Sequence, residues 1–309
     1  MTQPAPHSGP VDAFIHHALQ NPDFPSPPWT TLGTGVWGHV FDLGDGSVLK
    51  IVRHKGGIGS GAEIFAGEVA ALKATKGLAS GIQTADLIDA PSIPPDTEGL
   101  EDYCGWIRMD RLPGKTASQV LFHGLDTPAQ EALMRRLGMA AAELHRQSAR
   151  LLTGDTKLPC VSQDRLLQIA EIVPDMRTAC LEVGAVLAAG PQHPFLHGDI
   201  NGGNALISNP DTIAASDVGL VDWGEAQSGP IEIELRHMHD IGGPAEAMAE
   251  GYQAAGGVTP DQTRIAAALS LNALGTLAIA TLGTVPGLDP GAARDATLLR
   301  LKALDRPSG

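Results

Sequence analysis

Three polar residues near the middle of the chain are spaced for chemistry on a phosphate. Asp199 lies in the run Phe195-Leu196-His197-Gly198-Asp199-Ile200-Asn201-Gly202-Gly203-Asn204, and Asn204 follows it by five positions. Asp222 closes a second run, Gly219-Leu220-Val221-Asp222, and is followed by Trp223-Gly224. An aspartate can take a proton from a hydroxyl. A carboxylate and an amide oxygen are hard ligands suited to Mg²⁺, which keeps several waters and binds substrate phosphates. Phosphoryl transfer asks for little covalent chemistry from a protein: positioning, charge neutralisation and a base beside the attacking oxygen do most of it. Apolar runs flank all three residues. Pro194-Phe195-Leu196 enters the loop, Ala205-Leu206-Ile207 leaves it, and Val218 to Val221 leads into Asp222. Two adjacent short strands would bring Asn204 and Asp222 side by side at one mouth. His197 is expected to brace the loop by hydrogen bonding rather than to act as an acid or base.

Such a site needs a grip on the phosphate donor, and the N-terminal half supplies a candidate. Gly33, Gly35, Gly38 and Val40 form a G-x-G-x-x-G-x-V pattern. Apolar Val40-Phe41-Asp42-Leu43 comes next, then Gly44-Asp45-Gly46, then Ser47-Val48-Leu49-Lys50-Ile51-Val52. That order reads strand, tight turn, strand, whereas a dinucleotide fingerprint would open a helix. A glycine-rich hairpin lets backbone amides approach phosphates closely. Lys50 sits between apolar residues on the second strand. A helix is expected over 62–76, with Ile64, Phe65, Val69 and Leu72 near one face. It offers two carboxylates, Glu68 and Glu63, of which only one can point at Lys50.

Together these motifs, H-G-D-x-x-x-x-N, D-W-G and the glycine pattern, resemble the aminoglycoside phosphotransferase and choline kinase family. Kinase loops read H-R-D-x-x-x-x-N and D-F-G, and glycine at the second position is the variant of this branch. The resemblance implies an α+β, two-lobe, protein-kinase-like fold: a small N-terminal antiparallel-sheet lobe over 1–110 and a mostly helical C-terminal lobe over 111–309. It implies an ATP- and Mg²⁺-dependent phosphotransferase with Asp199 as base and Asn204 and Asp222 as metal ligands. Lys50, paired with Glu68, would contact the α- and β-phosphates beneath Gly33, Gly35, Gly38 and Val40. The segment Gly105 to Gly114 looks like the strand and linker joining the lobes, its backbone meeting the adenine edge around Met109 to Arg111. The run Leu137 to His145 is similar to the helix before the catalytic loop. One departure stands out. Where the family continues G-D-P-x-x-D-L-A, this chain has Ser228-Gly229-Pro230-Ile231-Glu232-Ile233-Glu234-Leu235. Glu232 and Glu234 are expected to replace the missing acid by pairing with a basic residue.

The bulk properties are compatible. The chain has 309 residues, 43% hydrophobic and 18% charged, which suits one large or two modest domains. Further helices are expected over 128–151, 162–176, 177–189, 245–255 and 261–282, with irregular chain over 1–10 and 21–28 and a loop over 91–99. Three scattered cysteines suggest neither a disulfide framework nor a zinc site, which favours a reducing cytoplasm. No charged leader followed by an apolar run opens the sequence. The uncharged stretch from Ile265 to Leu288 is better read as a buried helix than as a membrane span. With 21 Lys and Arg against 35 Asp and Glu, the net charge is −14, so nucleic acid and anionic membranes are not expected partners. The expected partner is a small-molecule hydroxyl compound, and a cationic one would suit Glu225, Glu232, Glu234 and Asp240 if those acids face the cleft. A catalytically silent nucleotide-binding module and a protein kinase are the alternatives. The first would normally lack one of Lys50, Asp199, Asn204 and Asp222. The second needs an A-P-E segment, which Pro244-Ala245-Glu246 does not supply.

Overall fold

A computed structural model describes Phe14, Phe24, Pro25, residues 29–78, 81–151, Leu158 and residues 160–304. The expected irregular stretches at 1–10 and 21–28 lie almost wholly outside the described residues. Strands β1 (Thr30–Gly35), β2 (Gly38–Asp42) and β3 (Ser47–Arg53) form an antiparallel meander. The Asp45 carboxylate holds the β2–β3 turn, accepting from the Ser47 amide at 3.0 Å and its hydroxyl at 2.6 Å. Helix α1 (Gly61–Thr75) follows, with the Ser60 hydroxyl accepting from the Ala62 amide and Glu63 in its first turn. Strands β4 (Ile82–Thr84), β5 (Leu87–Asp89) and β6 (Tyr103–Asp110) complete the N-terminal half, with β1-β2-β3-β6-β5 as one five-stranded sheet. The loop expected over 91–99 lies between β5 and β6.

Period-two patterning explains how β3 is covered on both faces. Leu49 and Ile51 enter an outer cluster with Phe14, Phe41, Tyr103 and Trp106. Val48, Lys50 and Val52 occupy the alternate positions, and Val52 packs into the main core with Leu72 of α1.

The C-terminal half is mostly helical. It runs β7 (Lys115–Thr116), α2 (Ala117–Phe122), α3 (Thr127–Leu151), α4 (Val161–Ile172), α5 (Arg177–Ala188), β8 (His193–Leu196), β9 (Ala205–Ile207) and β10 (Val218–Leu220). Strand β11 (Gln227–Gly229), α6 (Ile231–Leu235), α7 (Ala245–Ala254), α8 (Gln262–Leu282) and α9 (Pro290–Leu304) follow. Helices α3 and α7 approach closely because both carry glycine at the crossing: a Cβ on Gly138 would lie 2.0 Å from the Met248 carbonyl, and one on Gly251 2.1 Å from that of Arg135. Helix α8 is long and apolar enough to cross a membrane by length and composition. In this fold it is a packed helix, lying against α4, α5 and α9 with Leu271, Leu274 and Leu277 buried.

One strand crosses the boundary drawn at residue 110. Ile82–Thr84 pairs in parallel with β10, extending a sheet ordered β4-β10-β9-β7. Arg136 on α3 clamps that junction, its guanidinium donating to the Ser216 carbonyl at 2.6 Å and the Gly81 carbonyl at 2.5 Å.

Candidate active site

The loop after β8 is held by a buried carboxylate. Glu234 on α6 accepts from the His197 amide at 2.6 Å and the Gly198 amide at 3.1 Å. Burial would raise its carboxyl, but hydrogen bonding to His145, the His197 and His145 rings and these amides hold it below the ordinary glutamate value. Gly198 adopts φ +82°, and a Cβ there would meet the Glu225 carbonyl at 2.1 Å, so only glycine fits this turn. His197 braces the loop: Nε2 is 3.1 Å from the Val221 carbonyl and Nδ1 accepts from the Asp199 amide at 3.3 Å.

This loop sets Asp199 and Asn204 beside Asp222. Asn204 Nδ2 donates to Asp199 Oδ2 at 2.9 Å and to its carbonyl at 3.1 Å. His237 Nε2 lies 2.8 Å from Asp199 Oδ1. Burial works to raise the Asp199 carboxyl, but His237, the Arg236 charge and Asn201 outweigh it and hold it at about 2. Strands β9 and β10 pair with Ala205 opposite Leu220, and the Val221 amide donates to the Asn204 carbonyl at 3.0 Å. Asn204 and Asp222 are thus neighbours across one strand end. Asp222 is the only non-glycine with positive φ among the described residues, at 64°. Such backbone is sparsely populated and concentrates at working sites.

From the other side of the cleft comes Lys50, whose Nζ lies 2.5 Å from Glu68 Oε2 and 2.7 Å from Asp222 Oδ1. Burial opposes the ammonium charge, but Asp222 and Glu68 overcome it and raise the lysine above its ordinary value. Glu68, fully buried on α1, is therefore the partner of Lys50, and Glu63 is exposed. Gly38 packs against the β3 backbone, where a Cβ would meet the Ile51 carbonyl at 1.8 Å.

A cleft of about 540 Å³ joins Lys50, Asp199 and Asp222, with Glu68 and Asn204 behind its lining. Gly35, Gly38, Val40, Lys50, Asp199 and Asp222 line it. Gly33, Met109 and Arg111 are not among its lining residues. Met109 is buried in β6, and the Asp110 and Arg111 amides donate to the Asp86 and Gly46 carbonyls. Of the acids expected at the mouth, Glu225 and Asp240 line the cleft and Glu232 and Glu234 do not. Glu232 is buried and pairs with Arg264 at 3.0 Å, Glu234 serves the loop amides, and Glu225 takes both arms of Arg165 at 2.5 and 2.6 Å. Asp240 remains half-exposed, 3.6 Å from His237 Nδ1. Arg165, Arg236 and His237, which the motif reading did not single out, also line the cleft. The His237-x-x-Asp240 spacing was the one trace of this cluster in the sequence.

Among the described residues, no group of three or more His, Cys, Asp and Glu converges as a metal cluster. The donor set still fits a hard cation held largely by water and phosphate. Asn204 Nδ2 is engaged with Asp199, which leaves Oδ1 for a cation, and the Asp222 side chain is 51% exposed.

Comparison with known proteins agrees with this geometry. A family model described as the phosphotransferase enzyme family, APH, matches residues 67–268. No curated protein sequence matches the chain. A GDP and kanamycin complex of APH(2")-IIIa superposes with a TM-score of 0.70 at 13% identity, over 96% of this chain and 100% of that one. The amicoumacin kinase hAmiN, in complex with AMP-PNP, Ca²⁺ and Ami, gives 0.66 at 12% identity over 95% and 92%. A choline/ethanolamine kinase family protein from Mesorhizobium loti gives 0.61 at 19% identity over 96% of each chain. These likenesses place the fold among kinase-like phosphotransferases.

Proposed function

The chain belongs to the phosphotransferase enzyme family, and from that premise we propose that it moves the γ-phosphate of Mg·ATP to a hydroxyl of a small molecule. The observation that carries this reading is the ionised Asp199 on the cleft, beside Asn204 and Asp222 and facing the Lys50–Glu68 pair. Similar folds that hold nucleotide with kanamycin or amicoumacin support a small-molecule acceptor.

Each residue then has a task. Gly35, Gly38 and Val40 border the donor phosphates. Lys50, kept cationic by its two carboxylates, neutralises phosphate charge, and Glu68 fixes its direction. Asn204 Oδ1 and Asp222 would hold the divalent cation, which would supply charge neutralisation for the donor phosphates. Asp199 accepts a hydrogen bond from the acceptor hydroxyl, aligns its lone pair on the phosphorus and receives the proton as the new P–O bond forms. A carboxyl held at about 2 is a weak base. That suits a loose transition state, in which the proton leaves late and orientation matters more than basicity. The four groups whose loss would mark a silent module are all present, which favours turnover.

The test is phosphate transfer from Mg·ATP across a panel of alcohols: kanamycin, choline, ethanolamine, simple sugars and homoserine. Asp199→Ala should keep nucleotide binding and lose at least about a hundredfold in turnover, the scale of a positioned base. An unchanged rate in that variant would overturn the assignment of Asp199.

A further inference from the structure

Resting on the reading of Asp199 as the base, we propose that His237 is its positioning residue. The geometry is specific. Asp199 is held at both ends, by a hydrogen bond from Asn204 Nδ2 to Oδ2 at 2.9 Å and by an ion-pair contact of His237 Nε2 with Oδ1 at 2.8 Å. A carboxylate has about four lone-pair directions, so one donor on Oδ2 and the ring nitrogen against Oδ1 restrict its plane and still leave a direction on each oxygen for an acceptor hydroxyl. His237 is itself held. It is only 8% exposed, sits in the 3₁₀ turn Arg236–His239 directly after α6, and has Asp240 at 3.6 Å from Nδ1. The charged groups facing it are Asp199, Asp240 and Arg236. Burial and Arg236 disfavour the imidazolium, but the two carboxylates prevail and raise His237 above an ordinary histidine.

Each nitrogen of the imidazolium then faces one carboxylate, Nε2 at 2.8 Å from Asp199 and Nδ1 at 3.6 Å from Asp240. When His237 gives up a proton, Asp199 and Asp240 compete for the one that remains, and the clamp on Asp199 loosens. His237 therefore acts through Asp199, and its loss alters alignment rather than nucleotide binding. Misplacing a reacting group by about 1 Å can cost about a hundredfold in rate.

The experiment uses the full chain with Mg·ATP as donor and water as acceptor, reading release of inorganic phosphate as a function of pH beside nucleotide binding by thermal shift. His237→Ala is expected to slow release by about tenfold or more with nucleotide binding unchanged. His237→Gln, which retains a neutral N–H donor, should recover most of the rate. It should also lack the fall in rate expected of the wild type at alkaline pH. Asp199→Asn separates the possible failures. If Asp199→Asn is slow while His237→Ala matches the wild type, the positioning role is overturned and the reading of the base stands. If Asp199→Asn matches the wild type, both fall. A Gln variant as slow as the Ala variant would overturn the positioning role in favour of a purely structural one. Should the Ala variant fail to fold, ring-nitrogen NMR decides. His237 should titrate above an ordinary histidine in the wild type and lower in Asp199→Asn, and an unchanged titration overturns the proposal.

Discussion

The His237 ring, the Arg236 charge and Asn201 oppose burial at the Asp199 carboxyl, and together they prevail. The same pairing has a consequence for stability. A carboxyl at about 2 when folded and near its ordinary value when unfolded stabilises the fold above the unfolded value. That contribution, on the order of 2 kcal/mol, is lost as pH falls from about 4 towards 2. His237, raised in the fold, has the opposite sign: its contribution is full below the ordinary histidine value and is lost as pH rises through the folded one. Urea unfolding of Asp199→Asn at a series of pH values should therefore show less acid sensitivity between pH 4 and 2 than the wild type, and a parallel pair of curves would count against the Asp199–His237 contact. Asp199, Asn204 and Asp222 were legible in the sequence because their spacing is short and sits between apolar runs. His237 was not, because it reaches Asp199 from 38 positions away, across a contact that only the packing of α6 on β8 creates.

At the scale of elements, the turn after β8 depends on a carboxylate from another segment. Sequence patterning found the long helices, since Ala132, Leu133, Leu137, Ala140, Ala141 and Leu144 repeat at helical spacing along α3. It missed α9, whose Ala293 and Thr297 alone are buried and which docks through the Thr297 hydroxyl on the Ala273 carbonyl at 3.0 Å. An amphipathic signal that thin does not stand out from a surface loop. The expectation for Glu232 and Glu234 divides in the same way. Glu232 does meet a basic residue, Arg264. Glu234 faces His145 at 3.6 Å and in addition receives two backbone amides, a demand set by the turn at Gly198 that no side-chain pattern records. Removing that acceptor should be costly. Glu234→Ala leaves the His197 and Gly198 amides buried and unpaired, at about 1–3 kcal/mol for each. Urea unfolding should show a loss of that order, with Glu234→Gln intermediate because its carbonyl oxygen still accepts. A Glu234→Ala protein as stable as the wild type would mean that the loop is held otherwise.

At the scale of the whole molecule, a boundary at residue 110 separates a sheet-rich half from a mostly helical one but not two cores. One cluster contains Val52, Leu72, Ile82 and Ile107 from the first half together with Leu133, Leu137, Phe195 and Trp223 from the second. Ile58, between β3 and α1, belongs to a different cluster with Leu166 and Leu274. Polar links follow the same path. Gln83 donates to Asp217 at 3.0 Å, Arg136 ties Gly81 to Ser216, and the buried Lys50 meets Asp222. A fragment of residues 111–309 would lose β4 from the edge of β10 and expose the apolar face that β3, β6 and α1 cover. Unpaired strand edges and bared apolar surface favour aggregation over independent folding. The intact chain should accordingly unfold as a unit. Three of its four tryptophans, Trp29, Trp37 and Trp106, report on the first half, whereas most of its helix lies in the second. Tryptophan fluorescence and far-ultraviolet circular dichroism are therefore expected to give coincident urea transitions, and the 111–309 fragment to aggregate when expressed alone. Two separated transitions, or a soluble helical fragment with a cooperative melt, would show that the halves are independent and that the shared core contributes little to holding the cleft together.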